Sequence, residues 1–162
     1  MKLMATISIR LAAACAFAVC VASQGLAGES KLNLDGGRRA LSGYDPVSYF
    51  ADSGPQKGEE SLVWERDGVA YWFSTPENLD RFRQSPDAYA PAFGGWCAWA
   101  MLEGDRVKVD PQSFRIHEGR LLLFYDGFWG NTLEKWKREA TRVAEAELFA
   151  RAETNWKEIV DK

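Results

Sequence analysis

Histidine and sulfur are scarce in this chain of 162 residues, which holds one His, three Cys and three Met. Much of that small stock sits at the amino terminus. Lys2 and Arg10 supply a positive region ahead of an uncharged apolar run, Leu11 to Val21, followed by small residues at Ala22-Ser23 and Ala27. This is the pattern of a secretory signal peptide, and the run is well short of the ~20 residues that a spanning helix needs. Residues 1–27 are therefore expected to be cleaved, giving a periplasmic or secreted product without a stable membrane anchor. Cys15 and Cys20 lack a preceding lipobox and leave with the leader. Cys97, Met101 and His117 then stand alone as thiol, thioether and imidazole.

Each absence excludes a class. One thiol forms no intramolecular disulfide, so an exported protein of this kind is held together by packing. A closed zinc site normally wants four Cys or His ligands, and two remain. No C-x-x-C is present for dithiol redox chemistry. The nucleophile elbow, the P-loop, the dinucleotide fingerprint and H-E-x-x-H are also missing. Loss of Lys2 and Arg10 leaves 18 basic against 23 acidic residues, a net charge of −5. Nucleic acid is excluded as a partner on that balance.

The full chain is rich in core material, 46% hydrophobic and 13% aromatic, enough for one domain. Residues 28–41, with Gly36-Gly37-Arg38-Arg39, read as a flexible N-terminal arm, and 42–162 as the single folded domain. Asp67-Gly68 fits a two-residue hairpin turn. The register then opposes Trp64 to Tyr71 and Leu62 to Phe73, with Leu62, Trp64, Val69, Tyr71 and Phe73 on a core face. Thr75-Pro76 predicts an N-cap and first helical residue for a helix over 76–83. Ser85-Pro86 repeats the signal. A second hairpin is expected over 113–125 around Glu118-Gly119, where alternation sets His117 opposite Phe114 and Ile116 and so toward water. From about Thr132 an apolar stripe through Leu133, Trp136, Ala140, Val143, Ala144, Leu148 and Trp156 predicts an amphipathic helix docked on the sheet. The fold class is α+β: a small antiparallel sheet built from hairpins, packed with short helices and a C-terminal helix.

Chemistry concentrates in Ala92 to Met101, where Gly94 and Gly95 precede Trp96 and Cys97. A helix starting at Trp96 would favour a Cys97 thiolate and set Met101 one turn beyond it. With His117, these soft donors suit Cu(I). The competing assignment is burial, since free Cys is among the most buried residue types and Met fills gaps beside aromatics. A Cys97–His117 nucleophilic pair requires the imidazole to face the thiol, against the strand alternation. Tyr44-Asp45-Pro46 and Asp110-Pro111 offer a phenol and carboxylates, or simply Asx turns.

The ordered strings Gly43-Tyr44-Asp45-Pro46-Val47-Ser48-Tyr49-Phe50, Tyr71-Trp72-Phe73-Ser74 and Pro86 to Ala98, followed by Gly104, Asp110-Pro111, Gly119-Arg120-Leu121 and Trp156, resemble the exported YHS domain family. The resemblance implies fold and compartment more than mechanism. Metal-linked members of the wider YHS and TRASH-like group carry cysteines where this chain has Ser74 and Asn78, so that metal site does not carry over. Two functional readings follow. The first is a non-enzymatic binding module, with Tyr44, Asp45, Gly94, Gly95, Trp96 and Cys97 as ligand-binding candidates and copper on Cys97, Met101 and His117. The alternative is an interaction or scaffold domain in which Cys97 is structural and exposed aromatics such as Trp72, Phe128 or Trp129 meet another exported protein. An enzyme of unknown substrate, with a Tyr/Asp/Cys site, is a third, weaker class.

Overall fold

The structure, a computed structural model, describes residues 31–36 and 38–162, so the expected signal peptide lies outside the described residues. The fold is α+β. Strands β1 (Leu34–Asp35), β2 (Arg39–Ala40), β3 (Glu59–Arg66) and β4 (Val69–Phe73) form one sheet in the order β1-β2-β4-β3. Asp67 and Gly68 take φ of 52° and 74°, the two positive values that a tight hairpin turn requires. Trp64 pairs with Tyr71 as the alternation predicts. Leu62 does not pair with Phe73. An irregularity between Glu59 and Val63 moves Glu59 opposite Phe73, because extra residues in one strand shift everything beyond them. The face still points inward, and Phe73 packs with Val47, Leu79 and Phe82 beside Leu62, Trp64 and Tyr71.

Helix α1 (Pro76–Gln84) begins where its signals place it. The Thr75 hydroxyl accepts from the Asn78 backbone N–H at 3.2 Å, and Leu79 and Phe82 are the buried residues. Helix α2 (Pro86–Tyr89) follows directly.

Strands β5 (Asp110–His117) and β6 (Arg120–Phe124) form the second hairpin, with Glu118 and Gly119 at φ 47° and 74°. Strand β6 is the centre of the molecule. Leu121 and Leu123 enter one apolar cluster with Ala40, Leu41, Tyr49 and Val69, while Leu122 and Phe124 enter another with Phe93, Met101 and Trp136. Both faces of this hairpin are therefore covered.

The C-terminal segment docks on that second cluster, as its stripe predicts, but as two helices, α4 (Thr132–Glu139) and α5 (Glu145–Val160). The break follows Ala140. Thr141 Oγ1 donates back to the Arg138 carbonyl at 2.7 Å, a local bond of the kind that competes with helix continuation. Turning the chain here swings α5 across β5.

The segment expected as a flexible arm is instead tied into the sheet. Strand β1 pairs antiparallel with β2, and β2 pairs parallel with β4 through Arg39 and Ala70. The physical reason is the Leu32, Leu34 alternation, which lets both side chains pack against the Leu41–Leu123 cluster. Asp35 adds a bidentate pair with Arg39, the shortest contact being 2.8 Å.

Candidate functional site

The Gly94-Gly95 segment is a left-handed turn. Phe93, Gly94 and Gly95 have φ of 54°, 60° and 83° in succession. A Cβ on Gly94 would lie 2.7 Å from the Trp156 ring and 2.9 Å from Leu32, so both the backbone sign and the close approach require glycine here. The turn aims two carbonyls outward, and the chain's own N-terminal segment takes them. Asn33 donates from its backbone N–H to the Gly94 carbonyl and from Nδ2 to the Gly95 carbonyl, each at 2.9 Å. Trp96 Nε1 donates to the Lys31 carbonyl at 2.8 Å. Three residues singled out in the sequence thus bind an extended segment of this same chain. Asn33, which carries that contact, was missed; the Leu-x-Leu alternation around it was the available signal.

Cys97 is sealed. It precedes helix α3 (Ala98–Met101) as its N-cap residue, correcting the expected helix start at Trp96, and it has no exposed surface. The sulfur accepts from the Tyr125 N–H at 3.4 Å and lies 3.3 Å from Thr132 Oγ1. Thr132 has one hydroxyl proton, committed to the Tyr125 carbonyl at 2.8 Å, so the thiol proton fills the third contact. The Cys97 sulfur is thus engaged by polar groups on both Tyr125 and Thr132.

Met101 is fully buried among Leu122, Phe124 and Trp136. His117 lies on the face opposite Phe114 and Ile116, as expected, yet is mostly buried. Its side chain is only 12% exposed, because α5 covers that face. The continuous apolar run Leu121 to Phe124 in the pairing strand was the sign that both faces are buried. His117 Nδ1 is 3.5 Å from Glu145 Oε2, its ring faces Phe149, and its buried Nε2 has no hydrogen-bond partner. Of the three proposed metal ligands, Cys97 contacts Tyr125 and Thr132, Met101 packs beside Leu122 and Trp136, and His117 contacts Glu145 and Phe149. Among the described residues, no group of three or more His, Cys, Asp or Glu is placed to hold a metal.

Glu145 is a hub that sequence reasoning also missed. Burial alone would raise its carboxyl, but hydrogen bonds from Arg115 and from Trp136 Nε1 at 2.7 Å, with the Arg115 charge, hold it below its ordinary range.

Tyr44 and Asp45 sit elsewhere, at the corner between the first turn and α1. Asp45 has no exposed surface. Its Oδ1 accepts from the Val47 N–H at 2.8 Å, an Asx turn, and its Oδ2 accepts from the Ser74 N–H, Ser74 Oγ and Asn78 Nδ2 at 2.9, 2.6 and 2.7 Å. Ser74 and Asn78 thus both serve as donors to this buried carboxylate. Asp110 makes a second Asx turn to the Gln112 N–H. Tyr44 receives a hydrogen bond from Gln112 Nε2 at 2.9 Å and carries the Lys57 ammonium 4.0 Å above its ring. Burial, with Tyr44, Asp110 and Asp45 adding to it, pushes the Tyr49 phenol far up, so it stays protonated while donating to the Pro111 carbonyl.

Of the aromatics expected to be exposed, Trp72 lies beneath the Arg39 guanidinium at 4.5 Å. Phe128 and Trp129 are 91% and 79% exposed. They form the tip between β7 (Asp126–Gly127) and β8 (Gly130–Asn131). Their rings meet edge to face with centroids 5.0 Å apart. The tip is held from below: Tyr125 OH accepts from the Trp129 N–H at 3.2 Å, Asn131 Nδ2 donates to Asp126 at 2.8 Å, and Asn131 Oδ1 caps α4 by accepting from the Glu134 N–H. Through Tyr125 and Thr132, Cys97 anchors the base of this hairpin.

A separate groove of about 410 Å³ lies between α3, α4 and α5, with Trp99, Leu102, Val143 and Leu148 on its floor and the Glu103–Arg151 ion pair on its rim. No family model, curated protein or solved structure matches this chain.

Proposed function

We propose that this chain is a non-enzymatic, exported protein-interaction module of YHS-like architecture, with the Phe128-Trp129 tip as its contact element and Cys97 in a structural role. The observation that carries this reading is two adjacent large aromatics almost wholly in solvent on a braced hairpin. Packing gives no reason to spend apolar surface there. Trp is among the residues that most often dominate protein interfaces, and bracing in advance lowers the ordering cost of binding. The thiol supports the same choice, because its partners are Tyr125 and Thr132 at the foot of the tip. Export rests on the leader sequence at residues 1–27.

The test compares the mature protein with Phe128→Ser and Trp129→Ser as bait for exported proteins. Capture is expected to fall at least about tenfold in either variant, as befits a central aromatic anchor, with an unchanged melting temperature. Equal capture by all three proteins overturns the reading. For the metal alternative, Cu(I) titration is decisive: stoichiometric binding that disappears in Cys97→Ser reinstates copper, and no binding removes it.

A further inference from the structure

We propose that the cleft between the Gly94-Gly95 turn and β2 is a recognition site for an extended peptide with the pattern apolar-Asn-apolar, filled in this structure by the chain's own Leu32-Asn33-Leu34. The inference goes beyond the module reading and stands whether or not the Phe128-Trp129 tip has a partner.

Four observations carry it. The first is the polar lining, made for a backbone. The Gly94 and Gly95 carbonyls and the Trp96 indole N–H all point at the segment, and Ala40 pairs with Leu34 along its other edge. Main-chain pairing with alternate side chains in pockets is how strand-addition sites recognise peptides. The second is the reading of Asn33, whose backbone and side chain both donate to the turn. An Asn at this place meets two acceptors that an aliphatic residue would leave half satisfied.

The third is fit. The segment leaves space on both sides of itself. One cavity of about 190 Å³ is lined by Leu32, Tyr71, Pro91, Gly94 and Trp156, and another of about 90 Å³ lies beside Leu34, Leu41, Lys108 and Leu123. Both recesses are partly open to solvent, so the segment lies along a surface cleft rather than in a closed interior. The cleft therefore accepts side chains larger than the leucines that fill it.

The fourth is strain. Leu41 and Ser42 on one wall and Phe93 on the other have φ of 55°, 51° and 54°, in a region that costs a non-glycine residue free energy and that clusters at ligand-holding turns. Side-chain ties also hold the segment: Lys31 Nζ donates to the Val160 carbonyl, and Asp35 pairs with Arg39.

The experiment keeps the whole mature chain and weakens only the occupant, with Leu32→Ser and Leu34→Ser together. The probe is a capped synthetic peptide of residues 31–36, followed by NMR at the Trp96 indole N–H and the Gly94 and Gly95 amides. In the variant these resonances are expected to move on release and to return toward wild-type positions as peptide is added. The same peptide with Asn→Ala should bind about tenfold more weakly, the equivalent of one hydrogen bond. Absence of any return at saturating peptide solubility overturns the proposal. So does a variant that unfolds by circular dichroism, since the segment would then be a core strand rather than a ligand. On the wild-type chain, the Asn33 amide should exchange with solvent at least about tenfold faster than the amides of Val69 to Phe73, because a bound segment opens without global unfolding. Equal protection overturns the proposal independently.

Discussion

The Asp45 corner and the Phe128-Trp129 tip are both tight turns held by dense hydrogen bonding, yet they do opposite things with their distinctive side chains. At the corner a charged group is withdrawn from water and given four donors. At the tip two apolar groups are pushed into water and given none of the core. A buried carboxylate is costly unless it is paired, so its complete pairing marks a stability element. Exposed aromatics contribute little to the folded state, so their bracing marks a surface kept for contact.

The sharpest test of that contrast is Asp45→Ala, which strands the Val47 and Ser74 N–H groups and the side chains of Ser74 and Asn78. The loss should be about 3–5 kcal/mol, the range for a broken buried polar network, read from the midpoint of urea unfolding. A loss below about 1 kcal/mol, the size of one net hydrogen bond, would make the corner no different from the surface. Next comes Gly94→Ala, expected to cost about 2–4 kcal/mol from overpacking against Trp156 and Leu32 plus the left-handed backbone. Its effect should be read by thermal unfolding.

Glu145→Ala should cost less, about 1–3 kcal/mol, since it orphans the buried Trp136 N–H but leaves the half-exposed Arg115 access to water. The same carboxyl fixes a pH dependence. Its folded value is held below the ordinary 4.5, so its contribution is complete above that ordinary value and is lost as pH falls through the lowered folded value. Wild-type stability should therefore fall in acid more than that of Glu145→Ala, and parallel pH profiles would show that the Arg115 and Trp136 contacts contribute nothing. The smallest effect is expected for Trp129→Ser, within about 0.5 kcal/mol of wild type in urea. A larger loss would mean that the tip is structural after all.

Much of the fold is legible locally. Both hairpin turns, the Thr75 cap and the inward face carrying Trp64, Tyr71 and Phe73 follow from spacing and turn chemistry within short windows, and docking of the C-terminal stripe follows from a longer helical periodicity. The site is less so. Gly94, Gly95 and Trp96 are marked by composition, but their partner, Asn33, stands about 60 positions away in a segment that reads as an arm. His117 shows the same limit. Its strand face is correct by alternation, and its burial depends on α5, whose approach is set by the break after Ala140.

The sequence alone determined which residues turn, cap and face inward, because those choices are made by backbone sterics and by neighbours within reach along the chain. Tertiary structure decided which faces are covered. It sealed Cys97 beneath Tyr125 and Thr132, laid α5 over His117 with Glu145 and Phe149 against the ring, and threaded Leu32 to Leu34 into the Gly94-Gly95 cleft. Each of those outcomes depends on contacts between segments whose separation along the chain carries no local signal.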